Sequence, residues 1–520
     1  MKRRLSAAAA ILLISLSAGA QNPYLPLWEH IPDGEPYVFE DPDNPGQYRV
    51  YIYGSHDNLV TAYCGLDQVV WSAPVDDLSA WRFDGVIFES KYDANGEPMK
   101  GGMGDVLYAP DVAMTVDANG KKTYYLYPND QEGGRNSLVA KSDRPDGPFR
   151  VCNWDPQNPK ATVGALAFDP AVFVDDDGRV YGYWGFGESY GAEFDPNTMA
   201  SVKPGCEPIH NMVSGQDQEG VFRFFEASSM RKIKDKYVFI YSRMMQDGEF
   251  GLPKCNYNIA YAYSDNPLGP FTYGGTLIDG RARGIDAKGN PIATACPYGN
   301  THGSICEING QWWVFYHRQT GTDEYSRQAM VAPITVEVEE GPGGKVIISE
   351  GEYNSEGFRT QGLDPLQKIE AGWACWLTNP DGVGQEFPNF FFTGSYVKAQ
   401  REEPYCPVVN NTSGSIVGYK YINFDSLAGA EGIDLLADIK PEGINGTVKI
   451  FVGGPDKARG GKCVGKIKIR KGDVQEITTR RVSVNALKRY AGKQPVFFSF
   501  KSSKKGASIC ELYSFKFEAK

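Results

Sequence analysis

Five short aromatic segments recur through the first 340 residues: Val50-Tyr51-Ile52-Tyr53, Tyr124-Tyr125-Leu126-Tyr127, Val180-Tyr181-Gly182-Tyr183, Tyr237-Val238-Phe239-Ile240-Tyr241 and Trp312-Trp313-Val314-Phe315-Tyr316. Their closing tyrosines, Tyr53, Tyr127, Tyr183, Tyr241 and Tyr316, are 74, 56, 58 and 75 residues apart. Aromatic and β-branched residues at this density favour strands. A repeat of this length suits a four-stranded blade with loop insertions, so the spacing predicts a five-bladed β-propeller. A second echo agrees: Ser142-Asp143-Arg144-Pro145-Asp146-Gly147-Pro148-Phe149 returns as Ser264-Asp265-Asn266-Pro267-Leu268-Gly269-Pro270-Phe271.

Each aromatic segment is preceded, 14 to 18 residues earlier, by a polar residue in a short apolar or small-residue stretch: Glu35, Asp111, Asp169, Glu226 and His302. The first strand of a propeller blade lines the central channel, so these positions are expected to converge on one axis. Asp-Pro and Glu-Pro pairs also mark turns, a reading that accounts for one or two of the five. Glu226 stands apart, set among Phe224, Phe225, Ala227, Ser228 and Ser229. Lost solvation there raises a carboxyl pKa and keeps a proton available near neutrality, as a general acid requires.

The chain opens with Lys2, Arg3 and Arg4, an apolar run from Ala7 to Leu16, and Ala18-Gly19-Ala20. That is the pattern of a cleavable signal peptide over residues 1–20, with the mature protein starting near Gln21 and a periplasmic or secreted destination. No cysteine follows the cleavage site to carry a lipid, and no later apolar run reaches the length of a membrane span. A net charge of −11 argues against nucleic acid and anionic membrane as partners and leaves neutral carbohydrate open. The ten cysteines are scattered, without a Cys-x-x-Cys pair, which predicts mostly buried free thiols and at most one or two bridges.

Phe168-Asp169-Pro170-Ala171-Val172-Phe173-Val174-Asp175-Asp176-Asp177-Gly178, with Phe225-Glu226 one blade later, resembles glycoside hydrolase family 43 over roughly residues 22–350. The resemblance implies an inverting, mostly exo-acting enzyme that releases arabinofuranose, xylose or galactose. It implies Glu226 as general acid, Asp169 as the carboxylate that orients the acid and raises its pKa, Arg327 as a substrate contact, and His302 as the axial histidine holding a water or a calcium ion. Inverting hydrolysis needs a protonated carboxyl and an ionised one about 6.5–9.5 Å apart, the second activating water.

The base is where this chain departs from the family, which usually has Asp directly before Pro in the first blade. Here Glu35 precedes Pro36 and Asp33 lies two residues earlier. Glu35 is favoured for its phase, Asp33 is its main competitor, and Asp41 of Glu40-Asp41-Pro42 reads as a hairpin turn. Asp111 and the aromatics Phe225 and Trp184 are further candidates for substrate contact, with Trp28 and Tyr108 beside them, although blades also pack aromatics between sheets. Asp175-Asp176-Asp177-Gly178 lacks a following ligand at calcium-loop spacing and reads as a hairpin turn.

After about Arg359 the texture changes. Gly362-Leu363-Asp364-Pro365-Leu366 reads as a linker, and alternating segments such as Thr447-Val448-Lys449-Ile450-Phe451-Val452 predict one β-sandwich over 359–520 behind a propeller over 21–358. Gly418-Tyr419-Lys420-Tyr421 early and Leu512-Tyr513-Ser514-Phe515-Lys516-Phe517 at the end resemble family 6 carbohydrate-binding modules. Structural support is the favoured role. The Lys/Arg-rich stretch 462–481 reads as a solvated face, with acidic polysaccharide as an alternative contact.

The expected protein is therefore all-β, an exported, monomeric exo-glycosidase acting on oligo- or polysaccharide, foremost α-L-arabinofuranosyl. A β-xylosidase, an exo-β-galactosidase or a sugar-binding propeller without turnover stand as alternatives. No organic cofactor is implied, and a structural calcium ion is the one metal considered.

Overall fold

The computed structural model describes residues 20–59, 61–131, 135–252, 258–285, 291–292, 296–297, 299–378, 394–400 and 405–520. Of the expected signal peptide only Ala20 falls within them. The described residues form an all-β protein, a five-bladed propeller followed by a β-sandwich.

Blades one to four are four-stranded antiparallel sheets starting at Glu35–Glu40, Asp111–Val116, Ala171–Val174 and Phe224–Ile233. The fifth has three strands, Ser304–Ile308, Gln311–Gln319 and Arg327–Ile334. The chain start completes it: Tyr24 N–H donates to Ala329 O, and the Asn22 side chain both donates to Val331 O and accepts from Val331 N–H. First and last blades are thereby tied together, which closes the ring.

The five aromatic segments are the second strands of their blades. Their rings fill the apolar layers between blades, and three closing tyrosines donate to a carbonyl in the next blade: Tyr53 to Pro145, Tyr127 to Met199 and Tyr183 to Pro267. Pro145 and Pro267 lie in the echoed Ser-Asp-x-Pro motifs, which join third to fourth strands in blades two and four. That loop therefore repeats because it receives a tyrosine hydroxyl from the preceding blade. Asp175-Asp176-Asp177-Gly178 is the turn between the first two strands of blade three, with Asp175 and Asp176 paired to Lys232.

In the sandwich, Trp376–Thr378, Ile416–Asn423, Lys493–Lys501, Gly446–Val452 and Lys462–Ile469 make one sheet. The other is built around Cys510–Ala519 and Ile433–Pro441. Phe358 still packs on Tyr24, Trp81 and Trp313 of the propeller, whereas Leu363 is already in the sandwich core. The sandwich and the propeller meet in a shared apolar cluster of Trp376, Ile416, Phe451 and Phe497 with Ile278, Tyr316 and Tyr353. Behind it the buried Arg318 guanidinium donates to Gly372 O and Ala374 O.

All nine described cysteines are free thiols, six of them buried. No described helix is long and apolar enough to cross a membrane.

Candidate active site

A pocket of about 410 Å³ opens at one end of the propeller, and its wall includes Asp33, Asp169, Glu226, His302 and Arg327. Two of these residues, and the neighbour of a third, share an unusual backbone setting. Asp33 (φ 59°) and Asp169 (φ 46°) have left-handed backbone two residues before the first strands of blades one and three, and Ala227 (φ 68°) follows Glu226 in a strand bulge. Asp tolerates this conformation through local hydrogen bonding; Ala does not, so Ala227 is a strained position. Asp169 Oδ2 accepts the Ala227 N–H at 3.2 Å, which fixes the peptide next to Glu226, and Asp169 Oδ1 accepts from Asn129 at 2.9 Å.

Asp33 lies among polar and charged groups. Ser55 Oγ donates to it at 2.5 Å and Arg327 Nη1 at 3.2 Å, and His317 Nδ1 is 3.4 Å away. Burial alone would raise its pKa, but Arg327, His317, His302 and the Ser55 hydroxyl outweigh it and hold the carboxyl below its ordinary value. Arg327 is itself clamped by Asp57, Nε to Oδ2 at 2.9 Å and Nη2 to Oδ1 at 2.8 Å. His317 accepts from the Asp33 N–H at Nδ1 and so donates from Nε2 to Asn300 O at 2.8 Å. That tautomer is neutral, in keeping with a pKa pushed down to about 4 by burial.

Glu226 has the opposite environment. Burial, then the negative charge of Asp33, push its pKa up to about 8 against the pull of Arg327. Asp169 is also raised, by burial and then by Glu226 and Asp33. One wall thus carries a carboxyl kept ionised and a carboxyl kept protonated at neutral pH.

Glu35, favoured from sequence as the base, is not on this wall. Its Oε2 forms an ion pair with Arg231 Nη2 at 2.7 Å and accepts from Ser229 Oγ at 3.1 Å, in a layer beneath the pocket. Glu35 faces Tyr53 across its strand pair just as Asp111 faces Tyr127 and Ala171 faces Tyr183. The residue in blade one that matches Asp169 is therefore Asp33. Counting back to the tyrosines misaligned the blades because their first hairpins differ in length.

Three substrate-contact candidates also fall elsewhere. Asp111 accepts from Tyr37 Oη at 2.6 Å and from the backbone N–H groups of Val112 and Val172, tying blade two to blade three. Trp184 is buried between blades against Tyr190 and Phe194. Trp28 packs on Trp71. Phe225 and Tyr108 do line the pocket, joined by Phe168 and the exposed Phe186, whose ring packs at a tilt between Phe168 (4.7 Å) and Phe225 (4.9 Å).

His302 lies between the two layers. Its Nδ1 is 3.8 Å from Asp169 Oδ2 and 4.0 Å from Asp33 Oδ1, while Nε2 is 4.0 Å from Glu35 Oε1. Nε2 and Oε1 are both buried without a hydrogen-bond partner, a spacing that admits a bridging water or ion. Among the described residues no group of three or more His, Cys, Asp or Glu is arranged to hold a metal.

Asp57, Arg231, His317, Tyr63, Asn300 and Phe186 were not legible as site residues. Only Gly185-Phe186-Gly187, an aromatic between two glycines, gave a usable hint. Tyr63 on the rim bonds Glu324, meets Tyr325 edge-on at 5.1 Å and lies under the Arg327 guanidinium. The sandwich holds the loop that carries these partners: Val397 N–H donates to Thr320 O at 3.0 Å, Thr322 Oγ1 to Val397 O at 3.0 Å, and Ala399 N–H to Thr322 Oγ1 at 2.7 Å.

A carboxyl pair held in opposite protonation states at the mouth of a five-bladed propeller defines a hydrolase of glycosidic bonds. Residues 46–341 match the model of Glycosyl hydrolases family 43, and the chain belongs to that family. It is 34% identical to a xylosidase/arabinosidase of Thermoclostridium stercorarium over 77% of this chain and 82% of that one. It is 28% identical to an arabinoxylan arabinofuranohydrolase of Paenibacillus polymyxa over 68% of this chain and 55% of that one. A solved structure of a family 43 arabinoxylan arabinofuranohydrolase from Bacillus subtilis, in complex with cellotetraose, covers 97% of this chain and 98% of its own at 22% identity and a TM-score of 0.47.

Proposed function

We propose that the protein is an exported inverting exo-glycosidase of plant cell-wall polysaccharide that releases terminal α-L-arabinofuranose. Asp33 is the base and Glu226 the acid. The observation that carries this reading is their opposite titration: Asp33 held below the ordinary carboxylate range, Glu226 raised to about 8. In the reaction Glu226 donates its proton to the leaving glycosidic oxygen. Asp33 takes a proton from water, which attacks the anomeric carbon from the opposite face. Asp169 orients Glu226 through the Ala227 peptide, Arg327 and the Phe186–Phe225 pair contact the sugar, and Asp57 holds Arg327.

The proton transfers are assigned to side chains alone. A calcium ion on the axis, which prefers oxygen ligands, would be held by Glu35 Oε1 with His302 Nε2 beside it, and would supply positive charge beneath the pocket. The relatives named for both xylosidase and arabinosidase activity support β-xylose as the second donor to test. Proton NMR of the anomeric signals during hydrolysis of aryl α-L-arabinofuranoside, β-D-xyloside and β-D-galactoside is the experiment. Inverted arabinose as first product, lost in Asp33→Asn and in Glu226→Gln, supports the assignment. Retained configuration, or turnover surviving in Asp33→Asn, overturns it.

A further inference from the structure

The chain carries 53 Lys and Arg against 64 Asp and Glu, yet residues 446–505 hold sixteen Lys and Arg against three acids. This stretch thus carries a balance of +13 within a chain whose total is −11. The structure gathers part of that charge on one sheet face. Lys449 stands opposite Lys466, with Ser499 on its other side; one step along, Thr447 is flanked by Lys468 and Lys501. Strands lie about 4.8 Å apart and residues two apart about 6.8 Å, so the Cα atoms of the four lysines lie within a field of roughly 10 by 7 Å.

This face is the outward continuation of the one that packs on the propeller, since Phe451 and Phe497 follow in phase and are in the shared apolar cluster. Beyond that contact nothing in the described chain covers it. None of the four lysines has a carboxylate within ion-pair distance among the described residues. On the other sheet, by contrast, Arg480 pairs with Asp473, and Arg481 with Asp434 and Glu518. Like charges directly opposite on neighbouring strands destabilise a sheet. The Lys449–Lys466 pair stores a repulsion that a polyanion would relieve.

We propose that this lysine face docks a polysaccharide bearing uronic acid groups, and so anchors the catalytic propeller on acidic regions of its substrate. The choice of polysaccharide rests on the glycosidase reading; the anionic chemistry rests on the face alone. A flat face without exposed aromatic rings offers bases nothing to stack on, and without exposed apolar side chains it gives a bilayer no anchor. The strongly acidic remainder of the molecule disfavours a broad, densely charged partner more than one thin chain laid along the rows.

The test is affinity electrophoresis of the full chain in native gels containing polygalacturonate or neutral arabinoxylan, at low and raised salt, with Lys449→Glu/Lys466→Glu/Lys468→Glu as the variant. The expected result is retardation by polygalacturonate only, weakened about tenfold or more between 50 and 200 mM salt and abolished in the variant, whose melting temperature stays at the parent value. No retardation, equal retardation by the neutral polymer, or retardation unchanged in the variant overturns the proposal. Equal or tighter binding to duplex DNA or to phosphatidylglycerol vesicles also overturns it, in favour of those partners. Aryl glycoside hydrolysis by the parent, run alongside, tests the glycosidase reading separately, because that substrate carries no uronate.

Discussion

Asp33 and Glu35, two residues apart in the chain, face opposite nitrogens of one imidazole: Asp33 Oδ1 lies 4.0 Å from His302 Nδ1 and Glu35 Oε1 lies 4.0 Å from Nε2. The ring divides the propeller axis into a pocket layer and a layer beneath it. The two carboxylates have different partners, Arg327 for one and Arg231 for the other. That separation assigns them different work.

Asp33→Asn and Glu226→Gln should each lower kcat by about 10²- to 10⁴-fold, the range of a lost general base or acid, whereas Glu35→Gln should keep kcat within about threefold of the parent. Steady-state rates on an aryl glycoside decide it. A dead Glu35→Gln that still melts at the parent temperature would return the base to Glu35.

The pH profile of kcat/KM should have its alkaline limb near 8, where Glu226 loses its proton, and an acidic limb below the ordinary Asp range, set by Asp33. Stability follows the same sign. A carboxyl whose folded pKa lies above its unfolded value contributes fully below the unfolded value, and the contribution is lost as pH rises through the folded one. Glu226→Gln should therefore melt at or above the parent at pH 9 and show no such gain at pH 4. Differential scanning calorimetry at the two pH values checks it.

Arg327→Met leaves Asp33 and the fully buried Asp57 without their cation. Unpaired buried charge costs about 3–5 kcal/mol, and the acidic limb should move up as Asp33 loses its largest pKa-lowering partner. Chemical denaturation and a pH–rate profile read the two effects. An unmoved acidic limb would mean that Arg327 does not set the state of the base.

Thr322→Val removes the hydroxyl that links the catalytic loop to Val397 and Ala399 of the sandwich. Misplacing the loop that carries Arg327 and supports Tyr63 should lower kcat/KM about tenfold with little change in the main thermal transition. Parent-like kinetics would reduce the sandwich contact to packing.

Burial already raises the Glu35 pKa to about 7 against the pull of Arg231. Arg231→Met should therefore destabilise the propeller by up to about 3–5 kcal/mol above that pH, where Glu35 would be left as an unpaired charge, and by less at pH 5. Arg231→Met/Glu35→Gln should recover most of that loss. The double-mutant cycle by urea denaturation measures it.

The propeller was legible because its signal is local and repeated. Each second strand must bury rings against the next blade, so aromatic strands recur along the chain, and even the Ser-Asp-x-Pro echo had a cause, the tyrosine hydroxyl it receives. Glu226, Asp169, His302 and Arg327 could be singled out because each stands in a distinctive local motif, and all four line one pocket. Composition likewise marked the basic stretch 462–481, without saying that its Lys466 and Lys468 share one face with Lys449 and Lys501.

Tertiary structure alone decided which carboxylate of blade one reaches the pocket. The left-handed backbone at Asp33 and the Arg231 partner of Glu35, which comes from blade four, set that choice. Nor could Asp57, 270 residues from the arginine it clamps, be read from the chain. Strand pattern and blade count are written in neighbouring residues. Charge state and register at the axis depend on buried groups from four blades meeting there, and no local stretch of sequence contains that meeting.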